Sequence, residues 1–169
     1  MTESEFFNLA KQGYNRIPVV LETFADLDTP LSIYLKLANR PYSYLLESVR
    51  GGERFGRYSF IGLPASTRIE VRSNCINIIN DQGSERVEAE DPLSFIQSYL
   101  LRFKVAPCSG LPRFCGGLVG YFAYETVRYI ERKLADHVSP DALDLPDILL
   151  LLSEAVSYTH LTLPTSDLV

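Results

Sequence analysis

Apolar residues recur at helical spacing in three places along the chain. Phe6, Leu9 and Ala10 follow Thr2 and Glu5, which stand at capping-box spacing, and Gly13 is a stop signal. Thr29-Pro30 supplies an N-cap and a first-turn proline, after which Leu31, Tyr34, Leu35 and Ala38 line one face and Asn39 ends it. Asp91-Pro92 repeats that opening ahead of Leu93, Ile96, Leu100 and Phe103. A weaker helical pattern covers 126–134.

Between these segments the pattern changes to short β-branched and aromatic runs. Residues 17–24 read as an edge strand with Pro18 near its start. Strands are predicted over 42–48, 58–63, 67–72, 76–79 and 85–89, the last two joined by the turn residues Asn80-Asp81-Gln82-Gly83. Ile69 and Val71 alternate with Arg68, Glu70 and Arg72, which leaves one face of that sheet solvated. A strand over 113–122 is interrupted by Gly116, Gly117 and Gly120, a sign of close backbone approach, and 148–152 is short, wholly apolar and buried on both faces. Strand groups separated by helices predict an α+β fold, mainly antiparallel sheets with flanking helices.

Composition narrows the function classes. The chain has 169 residues, 46% hydrophobic and 22% charged, as a globular domain has. Its net charge of −5 disfavours nucleic acid and anionic membranes as partners, which need clustered Lys and Arg. The start Met1-Thr2-Glu3-Ser4-Glu5 has neither the basic nor the apolar part of a secretory leader, and the longest apolar run is far short of a membrane span. Cys75, Cys108 and Cys115 form no CxxC pair, which fits a reduced, cytoplasmic setting. His137 and His160 have no metal-ligand spacing to any partner, and no GxSxG elbow is present.

Two stretches could carry chemistry. In the first, Leu45-Leu46-Glu47-Ser48 ends one strand and Arg54, Arg57, Tyr58 and Ser59 open the next across a glycine-rich bend. If the strands pair, Glu47 can meet an ammonium, Arg57 a carboxylate, and Ser48 a further polar atom, with Leu46 and the local tyrosines as an apolar wall. On the residues alone, ordinary turn chemistry is the stronger reading of Glu-Ser ahead of Gly-Gly. The second stretch, Phe114 to Glu125, matches neither phosphate-loop spacing and reads better as a strand whose glycines face another backbone. Arg128 and Arg132 beside Glu131 read as a solvated face, and Glu88, Glu90 and Asp91 as an exposed loop. No acid/base pair, metal site or activated nucleophile assembles.

The end of the chain breaks the pattern. Val156 to Thr165 carries no charge and no evident partner strand, although it follows a strand that should lead into more fold. Over ten consecutive residues it resembles the translation of a transposon-based sequencing-library adapter. The expected division is therefore a native part over 1–155 and a non-native tail over 156–169.

Tyr44-Leu45-Leu46-Glu47-Ser48, Arg57-Tyr58-Ser59-Phe60-Ile61-Gly62, Phe114 to Glu125 and Leu145-Pro146-Asp147 occur in this order, preceded by Thr29-Pro30-Leu31-Ser32 and Tyr34-Leu35-Lys36-Leu37. Together they resemble the N-terminal region of the anthranilate synthase component I family, over about Phe6 to Glu154. The resemblance implies an incomplete part of a larger two-part enzyme. The intact enzyme converts chorismate and ammonia from a glutamine amidotransferase subunit, component II, to anthranilate and pyruvate, and needs Mg2+. The catalytic and metal residues of the family lie in a C-terminal chorismate-binding domain, so none is expected here and the fragment alone should be inactive. The N-terminal region of the family carries part of the site for L-tryptophan as feedback inhibitor, which falls on Glu47 and Ser48, with Arg57 as the basic residue on the next strand. The related aminodeoxychorismate synthase component I shares this region, and a stand-alone amino-acid-binding module is a further alternative.

Overall fold

The computed structural model describes the chain except Asp26, 51–53, Arg113, 135–142 and 161–169, and except the side chains of 48–50, 54–57, 132, 159 and 160. In chain order the elements are helices α1 (Glu3–Lys11) and α2 (Pro30–Leu37) and strands β1 (Tyr44–Arg50), β2 (Arg54–Gly62), β3 (Arg68–Arg72), β4 (Cys75–Asn80) and β5 (Gly83–Glu88). Helix α3 (Pro92–Leu100), strand β6 (Gly117–Phe122), the short helix α4 (Val127–Ile130) and strands β7 (Ile148–Ser153) and β8 (Val156–His160) complete the order. The architecture is α+β with two sheets, and the chain divides into two compact units.

The first unit contains Met1–Thr23 and Ser66–Leu152. Its sheet has the order β5-β4-β3-β7-β6. Antiparallel pairing sets Ile69 opposite both Ile78 and Leu150, and Val71 opposite both Ile76 and Ile148. All six are buried, and Ile96 and Tyr99 of α3 complete the core with them. Tyr99 takes the inward place expected of Leu100, which is exposed, because Pro92, Ile96 and Tyr99 share the buried face of so short a helix. The apolar run of β7 is buried almost throughout, as a strand flanked on both sides must be. Of the glycines of the 113–122 stretch, Gly120 has the expected role: it lies so close to β7 that a Cβ would overlap the Leu149 carbonyl oxygen, whereas a Cβ at Gly117 would meet nothing. The strand begins only at Gly117, four residues later than the sequence pattern suggested.

Residues 17–24 do not form the expected strand. The Asn15 side chain accepts from Lys104 N and donates to the Arg102 carbonyl, each at 2.7 Å, and Arg16 bridges to Val105. Beyond that bridge no described strand pairs with the segment, and Leu21 is 90% and Phe24 94% exposed. β-Branched composition makes a segment competent to pair, but a strand also needs a free edge within reach.

The second unit contains Phe24–Ala65 and the chain from Ser153. The Thr29 cap and Pro30 start α2 as expected, with Ser32 completing a capping box. Ala38 is buried and Tyr34 partly so, but Leu31 and Leu35 of the same predicted face are exposed. The sheet has the order β1-β2-β8, both ladders antiparallel. The expectation that the chain after Ala155 has no partner strand is corrected for Val156–His160, which pairs with Tyr58–Gly62 of β2. The edge of β2 offers unpaired backbone donors and acceptors, and backbone pairing is largely indifferent to side-chain identity.

Candidate functional site

Strands β1 and β2 pair as the zwitterion reading requires. Tyr44 faces Gly62, Leu45 faces Ile61, Leu46 faces Phe60 and Glu47 faces Ser59. The register then shifts, and pairing resumes at Val49 with Phe55. One residue of β1, Ser48, thus stands against three of β2, Gly56, Arg57 and Tyr58, as in an enlarged β-bulge. The backbone brings Glu47, Ser48 and Arg57 to one irregular end of the ladder. The side chains of Ser48, Arg57 and Arg54 lie outside the described residues.

Side-chain alternation gives this end two distinct faces. Glu47, Leu45, Ser59 and Ile61 share one. Ser59 and Ile61 are buried there while Glu47 is exposed, so a carboxylate stands at the open end of a row whose inner members are apolar or hydroxylic. The other face carries Leu46, exposed, with the Tyr58 and Phe60 rings 6.2 Å apart. The register thus corrects the apolar wall expected beside Glu47: Leu46, Tyr58 and Phe60 stand on the opposite face, and the apolar neighbours on the Glu47 face are Leu45 and Ile61.

A second polar cluster, in the first unit, centres on Asp147. Its Oδ2 accepts from Ser73 N at 2.7 Å and from the Tyr129 hydroxyl at 2.7 Å, and Arg128 lies 3.3 Å from Oδ1. Its carbonyl accepts from Ala123 N and the Thr126 hydroxyl. Arg128 also reaches the Glu125 carboxylate at 3.0 Å. The solvated face expected at Arg128 is therefore corrected: its side chain is only 13% exposed. Ser73 has a φ of 52° in the β3–β4 turn, a conformation few residues with a Cβ adopt. Asp147 holds the Ser73 N–H, and the Tyr129 hydroxyl donates to the Ser73 carbonyl at 2.9 Å, so the peptide groups on both sides of the residue are held. Burial, the hydrogen bond to Asp147 and that carboxylate's charge raise the Tyr129 pKa, against a lowering by Arg128, so the phenol stays protonated. The cluster is a clamp on a strained turn. Leu145-Pro146-Asp147 was its one visible trace in the sequence, because its other members lie far away along the chain.

The chain is 57% identical over 157 residues to anthranilate synthase component 1 of Pseudomonas putida, covering 92% of this chain and 32% of that protein. The Neisseria meningitidis serogroup B protein of the same name is 53% identical over 162 residues, covering 93% of this chain and 33% of its own. By sequence, the chain is a relative of anthranilate synthase component 1. It spans about a third of the length of the relatives it matches. No family model matches it. Among solved structures, anthranilate synthase component I from Streptococcus pneumoniae TIGR4 shares the fold, with a TM-score of 0.51 over 84% of this chain and 29% of that one, at 20% identity.

The anthranilate synthase resemblance implies magnesium. Among the described residues, no three His, Cys, Asp or Glu side chains come together as ligands, and Asp147 is already taken up by its three side-chain partners. The described residues assemble no site for the metal. No described helix is long and apolar enough to cross a membrane.

Proposed function

We propose that this chain is the N-terminal, tryptophan-sensing part of an anthranilate synthase component I. The intact enzyme would convert chorismate and glutamine-derived ammonia to anthranilate and pyruvate, in the cytoplasm, at the first committed step of tryptophan biosynthesis. The observation that carries this reading is the 57% identity across 92% of the chain to a protein of that name. The chorismate and magnesium residues would lie in the remaining two thirds of such a protein, and ammonia would come from a glutamine amidotransferase partner, component II. On this reading the fragment alone is inactive.

The effector site would lie at the irregular end of the β1–β2 ladder. Glu47 would hold the ammonium of L-tryptophan, Arg57 its carboxylate, and Ser48 would add a hydrogen bond. Three features support it: Glu47 is exposed, it pairs with the buried Ser59, and the bulge sets Ser48 against Arg57 along the backbone. Residues 156–169 would be a non-native, adapter-derived tail, so β8 would occupy a place that a different strand fills in the intact protein. The relatives' coverage of 92 to 93% leaves a remainder about the size of that tail.

The test uses the full-length gene product. It should form anthranilate from chorismate and be inhibited by tryptophan, while the 169-residue chain alone should not turn chorismate over. Ser48→Phe should raise the tryptophan concentration for half-inhibition by about tenfold or more, since overpacking a filled site costs about 1–3 kcal/mol. Chorismate turnover should stay near its original value. Unchanged inhibition would place the effector site elsewhere. Sequencing the source locus checks the tail: ordinary coding sequence beyond Ala155 that encodes these same residues would overturn that part.

A further inference from the structure

The end of the β1–β2 ladder opposite the bulge is held by three residues that take no part in the proposed ligand contacts. Tyr44, the first residue of β1, faces Gly62, the last of β2. Its ring lies directly on that glycine, so that a Cβ at Gly62 would overlap Cε1, Cζ and Cδ1 of the tyrosine. Beyond the glycine, the phenol oxygen is 2.7 Å from the hydroxyl of Ser153, which is itself buried. Burial raises the Tyr44 pKa, partly offset by the Ser153 bond, so the phenol stays protonated. Leu63 N donates to the Ala155 carbonyl at 3.1 Å and Gly62 pairs with Val156, which ties the same point to β8.

Register matters here more than elsewhere in the sheet. A slip of one residue along a strand moves every side chain to the opposite face. Glu47 would then leave the face of Ser59 and join that of Phe60. The bulge after Glu47 breaks the ladder on its far side and gives little resistance to such a slip. The nearer end has to supply it. A ring seated on a glycine allows one pairing, because any neighbouring register would bring the ring against a residue with a side chain, Ile61 or Leu63.

We propose that Tyr44, Gly62 and Ser153 form a register lock that positions Glu47, so that tryptophan affinity depends on a tyrosine, a glycine and a serine that do not touch the ligand. This rests on the effector reading above, in that the ligand is taken to be tryptophan; the lock itself is a property of the ladder. The three are positioning residues. Gly62→Ala removes the seat of the ring. Tyr44→Phe and Ser153→Ala each remove one side of a single hydrogen bond and keep the ring in place.

Two measurements separate the lock from the effector site. In the 169-residue chain, amide hydrogen exchange is followed at Leu45, Leu46, Glu47, Phe60 and Ile61, with Ile69 and Val71 of the other unit as the control. Gly62→Ala should speed exchange of the first set by roughly tenfold or more, and Tyr44→Phe by roughly threefold, with the control unchanged. In the full-length enzyme, Tyr44→Phe and Ser153→Ala should each raise the tryptophan concentration for half-inhibition by roughly threefold to tenfold. The double variant should be no worse than either single, since the two share one bond, and kcat for chorismate should be unaffected. Unchanged exchange in Tyr44→Phe, together with Gly62→Ala if that variant folds, would overturn the lock. Altered exchange with unaltered inhibition would overturn the positioning of Glu47. If Glu47→Ala itself leaves inhibition intact, the effector reading fails, and the exchange data still decide the lock.

Discussion

Single side chains start the helices. Asp91 accepts from the N–H groups of Leu93 and Ser94, each at 3.0 Å, and from the Ser94 hydroxyl at 2.6 Å. These hydrogen bonds, that with the Ser94 side chain foremost, hold its carboxyl below the ordinary value of 3.8. The sign follows from linkage. A carboxyl whose pKa is lower folded than unfolded contributes stability above the unfolded value and loses it as pH falls through the folded one. The start of α3 should therefore fray only in acid below that ordinary value, seen as faster exchange of the Leu93 and Ser94 amides relative to Ile96. Equal protection at pH 6 and about pH 2.5 would show that the cap carries no weight. Asp28 is held down in the same way by Lys36 and Ser32 at the start of α2, as is Glu5 by Thr2 at the start of α1. The N-caps Thr2, Thr29 and Asp91 were visible in the sequence, because a cap and the backbone N–H groups that donate to it lie within three residues of each other.

At the scale of elements, the β3–β4 hairpin depends on a residue more than seventy positions away. Asp147 and Tyr129 together hold Ser73 in its left-handed conformation. Asp147→Ala leaves Arg128, only 13% exposed, without its partner at 3.3 Å and releases the turn. Arg128 keeps its Glu125 partner at 3.0 Å, so the loss is one of its two ion pairs and the bonds to Ser73 and Tyr129, about 2 kcal/mol, a fall in Tm of roughly 6 °C for a chain of this size. Thermal unfolding followed by circular dichroism checks it, and a Tm within about 2 °C of the original would show the clamp to be dispensable. Asp147→Asn should cost less, since it keeps an acceptor for Ser73 N. Strand positions in this unit were largely legible: β4, β5 and the buried β7 fall close to their expected bounds. The function of Asp147 was not, since its partners Ser73, Arg128 and Tyr129 come together only when β7 pairs with β3.

At the scale of the molecule, the two units differ from a self-sufficient domain in what they leave uncovered. Val19, Val20 and Leu21 of the first unit and Phe24, Leu27 and Leu31 of the second are all more than half exposed, six large apolar residues within thirteen positions. Apolar surface left in water favours burial against another surface. The chain spans about a third of its relatives' length, which accords with this surface being covered in a longer protein. The 169-residue chain should associate as its concentration rises, and Leu21→Lys with Phe24→Lys should reduce that association, both read by light scattering. A monodisperse monomer that unfolds cooperatively would show that the segment needs no cover.

What the sequence determined by itself is what short-range chemistry decides: where helices begin, which turn joins β4 to β5, which strand is apolar throughout, and that Glu47 and Ser48 precede a bend toward Arg57. Tertiary structure alone decided which edges found partners. Residues 17–24 have strand composition and stay unpaired, whereas Val156–His160, the least expected strand, lies on β2. Composition sets how well a segment can pair, but pairing itself needs an open edge in the right place, and edges are made by residues distant in the chain. The same holds for the lock on the candidate site: Tyr44, Gly62 and Ser153 are unremarkable in sequence, and only the folded ladder seats the ring on the glycine and brings the serine to its hydroxyl.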